Sequence, residues 1–251
     1  MNLIEINDLS FRYNNSEQGQ NKPVLDGLSL TVPAGESVGI IGANGVGKST
    51  LLKLLVGLLP SYEGDVLIDG LTLEKNNLAA IRQKLGYIFQ DSDSQLFMNT
   101  VEEDVAFGPR NYGCSEEDVA RRVQEALKKT HIENLSKRHI YRLSGGQKKL
   151  VAIAAILSMG TDILLMDEPS VALDPENREN LIDILRELPG TKLIASHDLD
   201  FIYDTCKRVV ILKDGKAAVE GATGDILKNR EILENNGLRL PLSFRFMGDK
   251  R

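Results

Sequence analysis

Apolar and polar residues alternate through LIEINDLSFRY and again through LDGLSLTV, the two-residue period of strands with one buried face. The polar stretch NNSEQGQNKP joins them, so the first 35 residues predict an antiparallel, half-exposed sheet. After Pro33-Ala34-Gly35 the alternation stops. SVGIIG is a short continuous apolar run, as expected of a strand covered on both faces, and a helix, STLLKLLVGLL, follows at once. ILLMD and KLIAS are further buried runs with helical segments before them, and they predict central parallel strands. VVILKDGKAAVEG predicts a hairpin turning at Asp214-Gly215. Between Asp91 and Gly160 the pattern is mostly helical, and SEEDVARRVQEALKKT opens on Ser-x-x-Asp, close to a capping box. The expectation is a helical insertion in an α/β core. After Gly224 one more amphipathic helix and a loop containing Pro241 are expected.

Between the buried strand and the first helix stands GANGVGKST, which matches G-x-x-x-x-G-K-[ST] in the context that motif requires. Gly42, Ala43, Asn44, Gly45, Val46, Gly47, Lys48, Ser49 and Thr50 form the loop and helix start. Its glycines let backbone wrap phosphate oxygens, Lys48 reaches the β and γ phosphates, and Ser49 is a candidate Mg²⁺ ligand. ILLMDE then puts Asp167 and Glu168 at the carboxyl end of a buried strand, where open α/β sheets bind ligands. Adjacent carboxylates on extended backbone point different ways, so Asp167 suits the metal shell and Glu168 suits polarising an attacking water. His197 ends a third such strand and could face the γ phosphate. Ser196-His197-Asp198 is not a hydrolase triad, because consecutive residues do not converge. His131 and His139 read as surface histidines of the insertion. Gln90, where the core gives way to the insertion, could bind Mg²⁺ or the attacking water and report nucleotide state. Tyr13 is a stacking platform for adenine or an ordinary core aromatic.

Composition narrows the partners. The chain has 251 residues, 42% hydrophobic and 26% charged, with a net charge of −6, which suits a globular protein without general nucleic-acid affinity. Cys114 and Cys206 lie far apart with no ligand-spaced neighbours, as in a reduced compartment. The start carries acidic residues and no long apolar core, unlike a signal peptide. The most apolar runs, LLKLLVGLL and LVAIAAILSMG, fall short of the ~20 residues that cross a bilayer. A cytosolic location is expected, with any membrane role exercised through a partner.

A second anion-ready helix start lies in RLSGGQKKL, where Ser144, Gly145, Gly146 and Gln147 open a helix. A helical insertion would hold these residues away from the chain's own phosphate loop. Two chains placed head to tail, each covering the other's ATP, form the more economical arrangement.

These motifs, in this order, resemble the nucleotide-binding subunits of ATP-binding cassette transporters from about Leu3 to Asp225. The resemblance rests on Tyr13, GANGVGKST, Gln90, LSGGQ, ILLMDE, ALD ending at Asp174, and His197. It implies a P-loop NTPase (RecA-like) core with an antiparallel β subdomain and an inserted α-helical subdomain. Residues 1–251 would form a single such domain: an α/β core of 1–90 and 161–225, a helical signature subdomain of 91–160, and a C-terminal helix and tail of 226–251. It also implies ATP and Mg²⁺ as ligands, with Glu168 as base, His197 on the γ phosphate, and Asp174 among the nucleotide-site residues. Its implied partners are a second ATPase subunit, the same or related, and integral membrane subunits, which would place the chain peripherally on the cytoplasmic face of the membrane. QDSDSQLFMNTVEEDVAFGPRNYG and SHDLDFIYDTCKRVVILKDGK are similar to the ATPase subunits of cobalt and nickel uptake systems and energy-coupling-factor vitamin importers. Val46 stands where a small residue is usual, and Val171 where Ser is frequent. A soluble cassette ATPase acting on DNA or the ribosome is the alternative. This chain, with one cassette, a compact insertion and a net negative charge, lacks the coiled-coil insertion, duplicated cassette or basic surface typical of that class. A P-loop GTPase is not supported, since NKPV has no Asp at the guanine-reading position.

Overall fold

The computed structural model describes residues 1–13 and 22–245. Most of the polar stretch between the first two strands, 14–21, and the end of the C-terminal tail, 246–251, lie outside the described residues. In chain order the elements are β1 (Asn2–Phe11), β2 (Leu25–Pro33), β3 (Ser37–Ile41), α1 (Lys48–Leu55), β4 (Glu63–Ile68), β5 (Leu71–Thr72), α2 (Leu78–Lys84) and β6 (Leu85–Ile88). There follow α3 (Val101–Asn111), α4 (Glu116–Lys129), α5 (Gly145–Ser158), β7 (Ile163–Asp167), α6 (Pro175–Glu187) and β8 (Thr191–Ala195). The chain closes with α7 (Leu199–Thr205), β9 (Arg208–Lys213), β10 (Lys216–Ala222), α8 (Thr223–Leu227), α9 (Arg230–Asn235) and α10 (Leu242–Arg245). They group into two units, Met1–Arg82 with Gly190–Arg251, and Gln83–Pro189.

In the first unit, β2, β1, β4 and β5 form an antiparallel sheet. The buried residues of β1 are Ile4, Ile6, Leu9 and Phe11, a sequence that slips phase after Ile6. Asp8, at φ 54°, absorbs the extra residue where the register with β2 shifts. A bulge thus keeps both halves of the strand facing the core. The second sheet of this unit has β3 between β8 and β9, parallel to both, with β10 antiparallel to β9. Val38, Ile40 and Ile41 are fully buried, as the continuous apolar run requires. Asp214 and Gly215, at φ 49° and 78°, supply the two left-handed residues of the hairpin between β9 and β10.

Two expected helices end differently from the sequence reading. The run STLLKLLVGLL forms a helix only to Leu55, because Gly57 adopts φ 65°. The Gly57 N–H then donates to Leu54 O and the Leu58 N–H to Lys53 O, closing the helix with a left-handed glycine turn. After Gly224 the single expected helix is three short pieces, α8, α9 and α10. Asn229 starts α9 by accepting from Ile232 N at 3.1 Å, and Gly237 at φ 72° stops it. Asp200 on α7 accepts the Leu242 and Ser243 N–H groups at the start of α10.

In the second unit, β6 and β7 are parallel and every residue of both is buried. α5 lies close on β6. A Cβ at Gly86 would stand 2.0 Å from the Ile156 side chain, so glycine permits the approach. α3 and α4 pack on α5 and on each other. Thr100 and Glu103 form a full capping box on α3. On α4 the expected box is half formed: Ser115 accepts from Asp118 N at 3.2 Å, while the Asp118 carboxylate turns to Arg121 at 2.8 Å.

Candidate nucleotide site

The loop from Gly42 to Thr50 lies in the first unit, between β3 and α1. Gly47 is the N-cap of α1 at φ 110°, with no side-chain cap hydrogen bond. A Cβ there would meet Val24 O at 3.1 Å, so both the conformation and the contact exclude a side chain. Lys48 is 7% exposed, and its ammonium bends back over the loop to donate to Gly42 O at 2.8 Å and Ala43 O at 3.3 Å. A positive charge, a left-handed helix start and an uncapped helix dipole therefore occupy one turn of chain, which suits polyanionic phosphate. Ala43, Asn44 and Gly45 are exposed and Ser49 is half-buried. The Tyr13 ring packs edge-on against Phe11 at 4.9 Å, and its hydroxyl meets Thr50 Oγ1 at 3.1 Å. The structure thus brings Tyr13 to the phosphate-loop helix and leaves 45% of it exposed for a further contact.

His197 lies in the same unit, exposed in the turn from β8 to α7. Its neighbours are committed locally: Asp198 N donates to Ser196 Oγ at 3.1 Å, and Asp198 caps α7 by accepting from Phe201 N at 2.9 Å.

In the second unit, Asp167 ends β7 and Glu168 follows it, 4% and 7% exposed. The Tyr87 hydroxyl donates to Asp167 Oδ2 at 3.2 Å. Glu168 sits at φ 48°, a left-handed conformation that costs a non-glycine residue about 1–3 kcal/mol and is concentrated at functional sites. The Val171 N–H donates to Glu168 O at 3.2 Å, closing the turn that holds it.

Ser144 N-caps α5 by accepting from Gln147 N at 3.2 Å, and the Gln147 side chain accepts from Ser144 N at 3.1 Å. The hydroxyl accepts in this box, which leaves its proton available for an outward donor bond. Gly145 and Ser144 are exposed. Gly146 is buried because a Cβ would stand 2.7 Å from the Asn177 side chain on α6. Asp174 caps that helix, accepting from Asn177 N at 2.9 Å and Asn177 Nδ2 at 2.6 Å, and these bonds hold its carboxyl below the usual range. The signature turn and the Asp174 turn are therefore neighbours.

The family model of the ABC transporter matches residues 25–171, from β2 to the turn after Glu168. The chain belongs to the ABC transporter family. Within that family it is an ATP-binding subunit, an ATPase coupled to transport. It is 42% identical to the energy-coupling factor transporter ATP-binding protein EcfA of Carboxydothermus hydrogenoformans, over 99% of this chain and 92% of that one. CbiO1 of Clostridium perfringens, part of the ABC transporter complex CbiONQ, matches with a TM-score of 0.83 and 33% identity, covering 93% of this chain and 94% of that one. A dimeric post-hydrolysis state of the ATP-binding cassette MJ0796, bound to ADP and phosphate, matches with a TM-score of 0.78 and 29% identity over 88% of this chain and 98% of that one. The fold is the P-loop NTPase α/β fold of these cassettes.

Two departures from the usual ABC transporter pattern have local accounts. Val46 lays its Cγ1 over Gly42, 2.9 Å from where a Cβ would be, so the glycine makes room for it. Val171 is half-buried and takes part in the Glu168 turn through its backbone, which needs no hydroxyl.

The Gln90 backbone is held by residues far from it in sequence. Gln90 is exposed, and its backbone carbonyl accepts from Lys149 Nζ at 2.7 Å. Gln95 accepts from Phe89 N at 3.1 Å and donates to Ala152 O at 3.3 Å. Burial lowers the Lys149 ammonium to about 8, opposed by Asp91 and Asp167. The signal available in sequence was a lysine on the same helical face as Ile153 and Ile156 in an otherwise apolar run.

Proposed function

We propose that this chain powers import of a metal ion, cobalt or nickel, or of a vitamin through a membrane partner, by ATP-driven closure of a dimer. The observation that carries the reading is the likeness, over nearly the full length, to an energy-coupling factor ATP-binding protein and to CbiO1. No helix among the described residues is long and apolar enough to cross a membrane, and we assign the path for cargo to integral membrane subunits. The chain would then sit on the cytoplasmic face of the membrane. A soluble ATPase acting on DNA or the ribosome finds no support in these relatives.

In this reading Lys48 and the loop from Gly42 to Thr50 hold the phosphates of ATP, and Tyr13 stacks on adenine. Glu168 orients and polarises the attacking water, and His197 contacts the γ phosphate. Ser144, Gly145, Gly146 and Gln147 cover the γ phosphate of ATP held by a second ATPase subunit, identical or related, with Asp174 beside them. The residues also suit Mg²⁺. Ser49, Asp167 and Gln90 offer the hard oxygen donors that ion takes. Among the described residues no group of three His, Cys, Asp or Glu forms a metal cage, which suits an ion that arrives with its nucleotide. When bound, Mg²⁺ would neutralise phosphate charge.

Affinity purification of the full chain from detergent-solubilised membranes tests the proposal. Integral membrane proteins are expected to co-purify, and the complex in proteoliposomes is expected to take up labelled cobalt, nickel or a vitamin only with ATP. Recovery of a free ATPase with no membrane partner overturns it.

A further inference from the structure

Gln90 is exposed at the end of a short segment after β6, and a side chain that must report nucleotide state needs a fixed backbone. That backbone has few ties of its own. The 3-10 turn at Ser92–Ser94 is capped by Asp91, which accepts from Asp93 N at 3.0 Å and Ser94 Oγ at 2.8 Å, all within the segment. The Phe89 ring meets Tyr87 of β6 edge-on at 4.7 Å, and among the described residues the segment's hydrogen bonds to other elements run to the helix that begins at Ser144. Lys149 Nζ donates to Phe89 O at 2.9 Å and to Gln90 O at 2.7 Å. Gln95 bridges Phe89 N to Ala152 O. Lys148 Nζ reaches Asp93 Oδ1 from the same turn of helix.

We infer that Lys149 is a positioning residue that pins the Phe89 and Gln90 carbonyls to α5, so that Gln90 and the Ser144 turn move as one piece. The inference rests on the reading of Gln90 as a residue that binds Mg²⁺ or the attacking water and reports nucleotide state. Lys149 is 2% exposed, and burying an ammonium is unfavourable unless its donors are used. Here two of its three protons go to consecutive backbone carbonyls, a pair that no apolar side chain of that length can hold. Filling space on the face of Ile153 and Ile156 would need only methionine or leucine. The charge is explained by what it grips. One rigid body carrying both groups means that contact of the Ser144 turn with nucleotide displaces Gln90 by the same motion, without a separate relay.

The test uses the full chain as Lys149→Met, Lys149→Arg and Gln90→Ala, read by amide hydrogen exchange and steady-state ATPase kinetics. In Lys149→Met, exchange across residues 87–96 is expected to quicken about tenfold or more while α5 keeps its protection. The kcat is expected to fall about tenfold with KM for ATP within about twofold, the pattern of lost orientation. Lys149→Arg, whose guanidinium can meet both carbonyls, is expected to restore both readouts substantially. Unchanged exchange at 87–96 overturns the inference. So does faster exchange spread through α5 that arginine does not reverse, since that describes a packing defect. Gln90→Ala separates the two ideas: ATPase and transport both unaltered would remove the reading of Gln90, while exchange in Lys149→Met would still decide whether the pin exists.

Discussion

Helix α1 starts at Gly47, an N-cap that makes no side-chain cap hydrogen bond, whereas α5 starts at Ser144 inside a reciprocal box with Gln147. Both are helix N-termini next to glycines, and both bear on phosphate in the proposed reaction. In the proposed reading the first is completed by the phosphates: its N-cap is a glycine, with no side chain to bond the helix end, and Lys48 bends back over the loop. The second satisfies its own end and can add one hydroxyl and exposed backbone to a ligand that arrives from outside. A site lacking its own cap is expected to hold nucleotide tightly, and a site already capped is expected to close on it and let go. The difference separates holding from switching.

The largest expected effect sharpens that contrast at the strand end. Glu168→Gln is expected to lower ATP hydrolysis about 10²–10⁴-fold, the range for loss of a positioned acid or base, while ATP still binds. With ATP present the variant is expected to elute as a dimer in size-exclusion chromatography. Normal turnover would remove Glu168 from its role, and a monomer with ATP bound would break the pairing of the two helix starts.

Next is the holding site. Lys48→Ala removes a charge-assisted donor worth about 1.5–3 kcal/mol, so ATP affinity should fall about 10–100-fold by calorimetry. Unchanged affinity would mean that the glycine loop alone does the binding.

The switching site should respond differently. Ser144→Ala loses an N-cap worth about 0.5–2 kcal/mol, expected as a fall of a few degrees in melting temperature. ATP affinity of the single subunit should be unchanged and hydrolysis reduced. Mixing Ser144→Ala with Lys48→Ala leaves one intact composite site per mixed dimer, and partial recovery of activity is expected. A loss of nucleotide affinity in Ser144→Ala alone would mean that the turn serves its own chain.

The smallest effect compares one thiol in each unit. Cys206 packs beneath Gly39 of β3, fully surrounded, and burial pushes it up to about 12. It stays protonated through neutral pH, since its native value lies far above, and is expected to resist iodoacetamide at pH 8 until the unit opens. Cys114 is half-exposed and is expected to react first. Prompt modification of two thiols, measured by mass spectrometry, would show that the strand carrying the phosphate loop opens readily.

Much of the fold was legible because its determinants are local. The continuous apolar runs became buried β3, β7 and β8, and Asp214-Gly215 became the hairpin turn. The glycine turn before α1 was readable because its conformation is set within consecutive residues. Helix ends were less so: a left-handed Gly57 stopped α1 inside an apolar run, and Asn229 and Gly237 divided the C-terminal helix. The strands and helix from Glu63 to Ile88 carry no motif and went unassigned, and β4 takes its place by pairing with β1. The ties on Gln90 were hidden for another reason. Lys149 meets Phe89 and Gln90 across some 60 positions of sequence, and nothing in a lysine's neighbours says which carbonyls it will reach.

By itself the sequence determined which runs must be buried, the hairpin turn at Asp214-Gly215 and the starts of α1, α4 and α5, since each depends on steric freedom or hydrogen bonding within a few residues. Tertiary structure alone decided the bulge at Asp8 that keeps β1 in phase, the strained conformation of Glu168, the room that Gly42 gives Val46, and the grip of Lys149 on the Gln90 backbone. Those depend on which distant segments are packed together, because an unpaired buried charge or a misplaced backbone becomes costly only once water has been excluded by the rest of the chain.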